Sequence, residues 1–558
     1  MNKIRENITL QSRLLLKRVG EGLLHKAPLV AALVATAGIA SCSDWDDHYD
    51  GSNIEGSNTT LWEQINANPE LSDFAEVLQN TMVFRHHKKT PVSYAQVLDG
   101  GRSLTVLAPV NGTFNKDSLI NLTQTAQGDS CVEMFFVKNH LATTLRSASD
   151  TTQTVRLMNG KRIVINSDNI NGVSIKEGNL HGKNGVMHIM QTQMPYKYTV
   201  YEALTNVPDF LLSGDKIKGY NEDYFDENAS VSSGLVDGIP VYVDSVINER
   251  NILLNAIGQL NAEDSVFSVA IPTNNGWQKA WDKAAAHFNF PSSMEKRDSL
   301  QNYWTCRALF DDAVFSKTIQ SSPNDSVISY HYSTSNPEYH VFYKPYAADG
   351  LFGKAKGVRE CSNGNLYYYD EWPFTPEQTY FRKIEQEAEQ SWMIKDYKLC
   401  KYNTRSAAGD SISKGQFMVI TPNTGTSNWS ITYKLNGTLA GAYDFCVVLL
   451  PKNVDNPKNV LRPYKFKATI NYIDEEGKAQ EYKCNNGKAI ISRANVVDTV
   501  VVAQGFKLPA CNYSQNNDKI SLTITCDISR TENLKYWREM YLDCIFLRPN
   551  ETQESQNN

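Results

Sequence analysis

The sequence predicts an α+β protein: two related modules, in which helices pack on a β-wedge, followed by an all-β sandwich of jelly-roll type. Three observations favour this fold class. Four short sequence blocks occur twice in the same order between residues 57 and 373, and alternating apolar segments fill the region after residue 392. The composition, 41% hydrophobic and 21% charged, is typical of globular domains with buried cores.

The first 41 residues have the charge pattern of a secretory signal. Basic residues precede an apolar run from Ala27 to Ile39, which is too short to cross ~30 Å of hydrocarbon and ends on small residues before Cys42. Residues 39–42 resemble the bacterial lipobox, and the acidic residues 43–47 resemble the surface-export tract of Bacteroidota lipoproteins. This resemblance implies acylation of Cys42 and a lipid-anchored position on the outer membrane, exposed at the cell surface. An ordinary signal peptide with a chance cysteine remains the alternative.

Removing residues 1–41, with six basic and two acidic residues, changes the net charge from −6 to −10 for the remaining 517 residues. Such a charge disfavours nucleic acid or an anionic membrane as a partner. Besides Cys42 there are nine cysteines, at least one of them free, and none has zinc-site spacing, so we expect no metal and no cofactor. Buried free thiols are expected for most of them, with one or two disulfides after residue 399 left open.

The repeated blocks define two modules, residues 57–197 (module 1) and 198–373 (module 2), after a tether at residues 42–56. "TLWEQINANPEL" from Thr60 matches "TVYEALTNVPDF" from Thr199, and "LTVLAPVNGTF" from Leu104 matches "FSVAIPTNNGW" from Phe267. A weaker third match joins residues 130–142 to residues 296–308, and "KNGVMHIM" corresponds to "SNGNLYYY". The first block predicts a capped helix, the second a buried strand before a turn, and the last a strand after an Asn-Gly turn.

These blocks resemble the fasciclin domain, whose strand-Ala-Pro-Thr-Asn-x-x-Phe and Asn-Gly-x-x-His-x-x-Asp motifs are similar to segments of both modules. The resemblance implies adhesion or protein–protein binding without catalysis. Asn139-His140 matches a pair found in many members, whereas Cys306-Arg307 does not. His140 and His188 are expected to be structural rather than ligands or bases. The residues that carry the motifs are Pro109, Asn111, Phe114, Asn139, His140, Asn184, Gly185, His188, Pro272, Asn274, Trp277, Asn363 and Gly364.

The modules differ most between their first and second blocks, where each carries its own insertion, chiefly residues 84–101 and 213–262. Long insertions in compact domains usually carry specific contacts. The candidate binding residues are aromatic side chains expected to be exposed: Tyr94, Tyr220, Tyr224 and Phe225. His86-His87 beside Lys88-Lys89 could hold an anion or a metal, although a solvated loop is the favoured interpretation.

The remaining chain is predicted to be a linker with a charged helix at residues 374–391 and a β-sandwich at residues 392–550. Such folds often bind glycans, so Trp429, Tyr433, Trp537 or Tyr541 could form a sugar-stacking face, although aromatic residues at strand spacing are more often core. No nucleophile, metal-protease or nucleotide motif occurs, and adjacent Asp370 and Glu371 on a strand would face opposite sides, which excludes a concerted glycosidase pair.

The sequence therefore predicts a non-catalytic surface lipoprotein for adhesion or protein–protein binding. Its partners would be other surface proteins, glycans or an outer-membrane transporter complex. The alternative is an accessory lipoprotein that captures glycans or nutrients beside a SusCD-like TonB-dependent transporter, with the sandwich as the sugar binder.

Overall fold

A computed structural model describes residues 58–85, 88–236, 239–316, 326–330, 341–407, 412–515 and 518–550. The chain divides into two compact units, residues 1–196 and residues 197–558. Cys42, the tether at residues 42–56 and the pair His86-His87 lie outside the described residues.

The helices of the first unit begin where the capping residues of the sequence place them. Thr60 caps the first helix, and its hydroxyl and Glu63 form a reciprocal capping box. The helices are α1 (Leu61–Ala67), α2 (Ser72–Asn80), α3 (Tyr94–Asp99), α4 (Lys116–Thr123) and α5 (Ala126–Phe135). The strands are β1 (Met82–Arg85), β2 (Lys88–Ser93), β3 (Leu104–Pro109), β4 (Leu141–Ala142), β5 (Gln153–Arg156), β6 (Arg162–Ile165), β7 (Asn169–Ile170), β8 (Val173–Gly182) and β9 (Gly185–Met190).

The main sheet of this unit has the order β4-β3-β9-β8-β7-β6-β5, and β1 and β2 form a separate hairpin. Strands β3 and β9 are its central parallel pair, in a register that places Leu104 opposite Gly185 and Pro109 opposite Met190. Both strands are buried at every residue, as expected where a sheet is covered on both faces.

In the second unit, residues 198–373 repeat this arrangement. The helices are α6 (Val200–Asn206), α7 (Leu211–Lys218), α8 (Leu254–Ile257), α9 (Asn274–His287) and α10 (Arg297–Phe310), and Thr199 caps α6 with the same capping box. The strands are β10 (Asn221–Val236), β11 (Ile239–Asn251), β12 (Phe267–Pro272), β13 (Val314–Ser316), β14 (Ser326–Ile328), β15 (Val341–Tyr343), β16 (Gly357–Cys361) and β17 (Gly364–Tyr369).

The central sheet of module 2 has the order β13-β12-β17-β16, which corresponds strand for strand to β4-β3-β9-β8. Its parallel pair places Phe267 opposite Gly364 and Pro272 opposite Tyr369. The register therefore puts Pro109 and Pro272 at equivalent positions, as the repeated blocks predict.

The described strands after residue 383 form two antiparallel sheets. They are β18 (Ile384–Glu387), β19 (Ile394–Lys398), β20 (Cys400–Ser406), β21 (Gln416–Pro422), β22 (Ser430–Lys434), β23 (Gly441–Leu449), β24 (Lys465–Ile473), β25 (Ala479–Lys483), β26 (Ile490–Ile491), β27 (Asp498–Leu508), β28 (Ser521–Cys526) and β29 (Met540–Pro549). One sheet has the order β20-β21-β29-β23-β27 with β18 beside β29, and the other has the order β19-β22-β28-β24-β25 with β26 beside β24. Side chains of both sheets share one hydrophobic core.

The prediction of a charged helix at residues 374–391 is wrong. This segment contains a short 3-10 turn, Pro376–Gln378, and then β18, which pairs with β29. Packing into the core decides the outcome, because Phe381 and Ala388 are fully buried against the two sheets and Glu387 between them is buried as well, while Lys383 and Glu385 stay exposed. Phe288 and Phe290 of module 2 belong to the same core as Phe381 and Ala388. Residues 374–391 are therefore packed between module 2 and the C-terminal sheets and do not form a free linker.

Candidate functional site

The asparagine of the Asn-Gly pair in module 1 is a structural anchor. Asn184 is buried, and its Oδ1 accepts a hydrogen bond of 2.8 Å from the backbone N–H of Leu61 at the start of α1. Its Nδ2 donates to the carbonyl oxygens of Leu98 and Gly100, at 2.8 and 2.6 Å. One side chain thus joins the first helix, the end of α3 and the last central strand.

Asn363 repeats these bonds in module 2. Its Oδ1 accepts from the N–H of Val200 at 2.8 Å, and its Nδ2 donates to the carbonyl oxygens of Leu260 and Ala262, both at 2.9 Å. Since all polar atoms of both asparagine side chains are used inside the protein, neither residue is available to a partner.

The glycine after each asparagine is required by close backbone approach. A Cβ at Gly185 would lie 2.1 Å from the carbonyl oxygen of Leu104, and a Cβ at Gly364 would lie 1.8 Å from that of Phe267. Both contacts are far inside van der Waals distance, and they come from the parallel neighbour strand. No other residue type fits these two positions.

The turn asparagines of the second block also have matching roles. Asn111 Oδ1 accepts from the N–H of Asp73 at 2.9 Å, and Asn274 Oδ1 accepts from the N–H of Leu212 at 3.0 Å. The aromatic residues three positions later pack inward: Phe114 lies 4.9 Å from the ring of Phe136, and the buried Trp277 lies 5.2 Å from that of Phe310. The shared motif thus serves the scaffold.

Asn139 and His140 together clamp the backbone of Met194. Asn139 Nδ2 donates to the Met194 carbonyl oxygen at 3.0 Å, while the Met194 N–H donates to His140 Nε2 at 2.9 Å. Because Nε2 accepts, the proton is on Nδ1, which donates to the Phe136 carbonyl oxygen at 2.7 Å. The ring is fully buried beside Phe74 and Phe136, and burial lowers the pKa of His140 to about 4. His140 is therefore held neutral.

The comparison of this pair with Cys306-Arg307 is wrong, because strand register assigns different residues. Leu141 pairs with Val106 in module 1, and Val314 pairs with Val269 in module 2. Val106 and Val269 hold equivalent places in their parallel pairs. The residues just before these strands therefore correspond to one another.

By this register, Asp312-Ala313 stands where module 1 has Asn139-His140. Asp312 is buried, and its Oδ2 lies 2.7 Å from an amino nitrogen of Arg382, just before β18. Its Oδ1 accepts from the hydroxyl of Ser329 at 3.0 Å. Module 2 thus replaces a neutral clamp by an ion pair with the segment that leads into the C-terminal sheets.

His188 is also structural. Its Nδ1 accepts from the N–H of Asn179 at 3.3 Å and its Nε2 donates to the carbonyl oxygen of Arg146 at 3.0 Å. Burial lowers the pKa of His188. The equivalent residue in module 2 is Tyr367, whose ring stacks on Phe352 with centroids 4.3 Å apart. Neither residue is placed to act on a substrate.

The insertion of module 1 is fixed by buried carboxylates. Glu133 accepts from the Tyr94 hydroxyl at 2.8 Å and from the N–H of Phe84 at 3.0 Å, and Lys89 Nζ lies 2.6 Å from Asp129. The prediction that Tyr94 is exposed is wrong, because its ring is fully buried and desolvation raises its pKa. Hydrogen bonding to Glu133 satisfies the hydroxyl and permits this burial.

The insertion of module 2 forms a long hairpin of β10 and β11. Phe225 and Ile247 are cross-strand neighbours on one face, 43% and 49% exposed, and the next pair on that face is Asp223 with Glu249. Two carboxylates directly opposite each other repel, and Glu249 Oε1 accepts a hydrogen bond of 3.0 Å from Asn221 Nδ2. This face is the exposed apolar and acidic surface of the hairpin.

On the other face, Tyr224 is 36% exposed and lies beneath the guanidinium group of Arg250, 5.2 Å from the ring centroid. Arg250 also pairs with Glu222 at 2.6 Å. Tyr220, before the hairpin, differs from the prediction: it packs edge-on against Tyr303 with centroids 5.9 Å apart, and burial raises its pKa. It belongs to the core of module 2.

Three of the four aromatic residues considered for a sugar-stacking face are core residues, as the favoured interpretation of their spacing expects. Trp429, just before β22, Tyr433 and Tyr541 are fully buried, because their side chains lie in the shared core. Trp429 Nε1 donates to the carbonyl oxygen of Arg538 at 2.7 Å. Trp537, partly exposed, is covered by the guanidinium group of Arg462 at 4.9 Å from its ring centroid.

The adjacent carboxylates considered in the sequence analysis are paired, and most of the thiols are buried. Asp370 pairs with Lys356 at 2.6 Å and Glu371 with Lys279 at 3.4 Å. All nine cysteines from Cys131 onward are free thiols and all but Cys131 are buried. Within the described ranges, no group of three or more His, Cys, Asp or Glu side chains could hold a metal ion. Among the described helices, none has the length and apolar character to cross a bilayer.

A known protein family matches the sequence of module 1. Residues 70–194 match the Fasciclin domain. The matched residues include Asn184, Gly185 and the Asn139-His140 clamp. No curated protein matches the chain significantly.

Several solved structures show weak similarity. A FAS1 domain pair from the insect cell adhesion molecule Fasciclin I is 13% identical with a TM-score of 0.19, covering 50% of this chain and 90% of that one. An endo-1,4-β-D-xylanase 10B fragment of Clostridium thermocellum is 12% identical (TM-score 0.20; 30% of this chain, 28% of that one). A Paenibacillus xanthan lyase is 9% identical (TM-score 0.21; 34% of this chain, 16% of that one). TM-scores this low assign neither fold nor function to the chain.

Proposed function

We propose that this protein is a non-catalytic cell-surface lipoprotein, anchored through Cys42, which binds other surface proteins through the hairpin of module 2. Module 2 is a second fasciclin-like domain in this proposal, and the C-terminal sheets form a β-sandwich of jelly-roll type. Fasciclin domains are in general adhesion or binding modules, which supports the class of function.

The observation that carries the proposal is the contrast between the motif residues and the hairpin. The motif side chains use their polar atoms on their own backbone, as the bonds of Asn184 and Asn363 show. In the hairpin, Phe225 and Ile247 are 43% and 49% exposed and lie beside the opposed carboxylates of Asp223 and Glu249. Exposed apolar side chains that are grouped rather than scattered are typical of interaction sites, and the acidic neighbours favour a partner with apolar and basic side chains.

The competing proposal is glycan capture beside a TonB-dependent transporter. It depended on an exposed aromatic face of the C-terminal sheets on which sugars could stack. Trp429, Tyr433 and Tyr541 are core residues. Catalysis is not part of the proposal either, because the adjacent carboxylates Asp370 and Glu371 each pair with a lysine on the surface.

A hairpin replacement tests the proposal. Residues 223–249 are exchanged for Asn-Gly, which keeps the pairs Asn221 with Asn251 and Glu222 with Arg250 and closes them with a favoured two-residue turn. We expect the full chain to lose capture of proteins from outer-membrane extracts while its melting temperature stays nearly unchanged.

Point variants provide the matched control. Phe225→Ser with Ile247→Ser should reproduce the loss, whereas Val358→Ser, an exposed position of β16 in the same module, should not. Undiminished capture after the hairpin replacement would place the binding surface elsewhere and refute the proposal. Glycan-array binding by the chain would instead favour the competing one.

A further inference from the structure

Two loops of the C-terminal sheets, residues 451–463 between β23 and β24 and residues 529–538 between β28 and β29, form a single rigid element, called here the loop pair. Arg462 Nη1 donates to the carbonyl oxygen of Asn533 at 3.1 Å, and Trp537 Nε1 donates to that of Val460 at 3.0 Å. The N–H of Trp537 also donates to the carbonyl oxygen of Pro463 at 3.1 Å. The tips of the loop pair are thus held in fixed positions.

A buried arginine supports the second loop from beneath. Arg538 is 6% exposed, and its guanidinium group donates to Asn533 Oδ1 at 2.7 Å and to Asn428 Oδ1 at 2.6 Å. Because the loop is bonded internally at both ends, little conformational entropy remains to be lost when its surface meets a partner.

The loop pair exposes aliphatic side chains. Leu534 is 82% exposed, Val460 58% and Leu461 40%, and the loops that carry them are hydrogen-bonded to each other. Single exposed apolar residues are ordinary on protein surfaces, but these three lie on two loops that are hydrogen-bonded to each other, and they are called here the aliphatic patch.

The charges around this patch are positive. The carboxylates of the loop pair and its surroundings are already paired: Asp455 with Arg405 at 2.6 Å, Glu532 with Lys465 at 2.8 Å, and Glu539 with Lys452. In the described part of the chain, no carboxylate pairs with the remaining cations, which are Lys458, Arg462, Arg530 and Lys535. A local excess of cations in a chain of net charge −6 needs an explanation.

The side-chain types favour lipid over protein or sugar. Hot spots of protein interfaces are rich in Trp, Tyr and Arg and poor in Leu and Val. Sugars stack on open aromatic rings, whereas Trp537 and Tyr536 are covered by Arg462 and Lys465. Aliphatic side chains surrounded by cations are instead suited to the boundary between acyl chains and anionic headgroups.

We infer that the loop pair docks on an anionic lipid surface, with Leu534, Val460 and Leu461 inserted at the headgroup boundary and the four cations bound to phosphate or carboxylate groups. This contact is independent of acylation at Cys42 and goes beyond the binding proposed for module 2. The overall acidic charge, which disfavours an anionic membrane as a partner, is locally reversed at this point.

Vesicle co-sedimentation of the full chain carrying Cys42→Ala tests the inference. We expect binding to phosphatidylcholine vesicles that contain phosphatidylglycerol, weaker binding without it, and at least about a tenfold loss for Leu534→Ser with Val460→Ser, because each buried methylene contributes to partitioning. Lys458→Glu with Lys535→Glu should weaken binding only to the anionic vesicles, and added salt should have the same effect.

The matched control is Ile491→Ser with Val501→Ser, two exposed positions on strands of the same sheets. It shares residues 1–41 with every variant, so an effect of that apolar segment would appear equally in all. Equal binding by the control and the loop-pair variants would overturn the inference, as would an absence of binding by the parent chain. Loss of capture of a protein by the loop-pair variants, with vesicle binding unchanged, would overturn it in favour of a protein partner.

Discussion

The four central strands of modules 1 and 2 have the same order and the same parallel register, yet the modules differ at the residues just before the short strand at the sheet edge. Module 1 has Asn139-His140, which close on the backbone of Met194 within the module. Module 2 has Asp312-Ala313, and Asp312 pairs with Arg382 ahead of the C-terminal sheets. Both modules thus use the same buried asparagines and glycines to hold their central strands. The residue pair before the edge strand differs in role: in module 1 it binds backbone of its own module, and in module 2 it pairs with the segment that precedes the C-terminal sheets.

The largest expected effect tests whether the two scaffolds are equivalent. Gly185→Ala and Gly364→Ala should each destabilise their own unit by more than about 4 kcal/mol, because the new methyl group would meet a neighbouring carbonyl oxygen. Hydrogen exchange resolved by unit measures the two losses separately.

Gly101→Ala is the control, since a methyl group there meets no atom within 4 Å. Its unit should keep its parent stability. If one of the two glycine variants were as stable as the control, the modules would not share the close parallel contact.

A smaller effect is expected when the Asn139-His140 clamp of module 1 and the Asp312–Arg382 ion pair of module 2 are removed, and the loss of stability should differ between the two. Arg382→Met removes the guanidinium group facing the buried carboxylate of Asp312 and should cost the second unit about 3 kcal/mol. Asn139→Ala removes neutral hydrogen bonds and should cost the first unit about 1 to 2 kcal/mol. Calorimetry that resolves the two units would measure both.

Lys356→Met, which breaks an exposed ion pair in module 2, is the matched control and should leave the melting temperature unchanged. The double variant Asp312→Asn with Arg382→Met should recover part of the loss, because no charge is then left buried. Failure of any recovery would assign the effect of Arg382 to packing rather than to charge.

The smallest effect is a difference in acid response. The pKa of His140 is about 4 in the folded state, below its ordinary value of about 6.5, so its contribution to stability is complete above the higher value and is lost as the pH falls toward 4. We expect the first unit to lose about 2 kcal/mol between pH 7 and pH 5. His188, whose pKa is also lowered, acts in the same direction.

The second unit has no imidazole at these positions, because Ala313 and Tyr367 replace them. Its buried Asp543 has the opposite sign: burial raises its pKa to about 6, so its stabilising contribution is present at acid pH and lost as the pH rises through 6. Urea denaturation at pH 5 and pH 7, monitored by hydrogen exchange, measures the stability of each unit separately. His140→Gln should flatten the response of the first, and an unchanged slope would exclude the imidazole as its cause.

The sequence predicted elements whose pattern is local. The alternating apolar pattern after residue 392 forms strands as expected, and Thr60 and Thr199 cap the helices of the first repeated block. The third repeated block was matched at the wrong residues, because the helix before the edge strand runs to Phe135 in module 1 but is longer, Arg297–Phe310, in module 2. A comparison without gaps cannot detect that difference, whereas strand register reveals it.

The candidate site was predicted in part. Phe225 and Tyr224 are exposed as expected, but Tyr94, Tyr220 and Trp429 pack inside. The sequence of an insertion does not show whether an aromatic side chain points to the core or to solvent. Burial depends on a hydrogen-bond partner for the hydroxyl or indole N–H, and that partner can lie far away in sequence, as Glu133 does for Tyr94. Ile247 and the pair Asp223 with Glu249 were missed, because only strand pairing brings them together with Phe225.

The parallel pairing at the centre of each module also has a consequence for how the chain folds. Leu104 pairs with Gly185, and Phe267 pairs with Gly364. The central parallel pair of each module therefore cannot form until the last strand of that module has been synthesised. Contacts between residues so far apart along the chain carry a large loop-closure entropy and slow the folding step. Each module should therefore remain open during synthesis until its final strand has emerged, and then close as a single cooperative event.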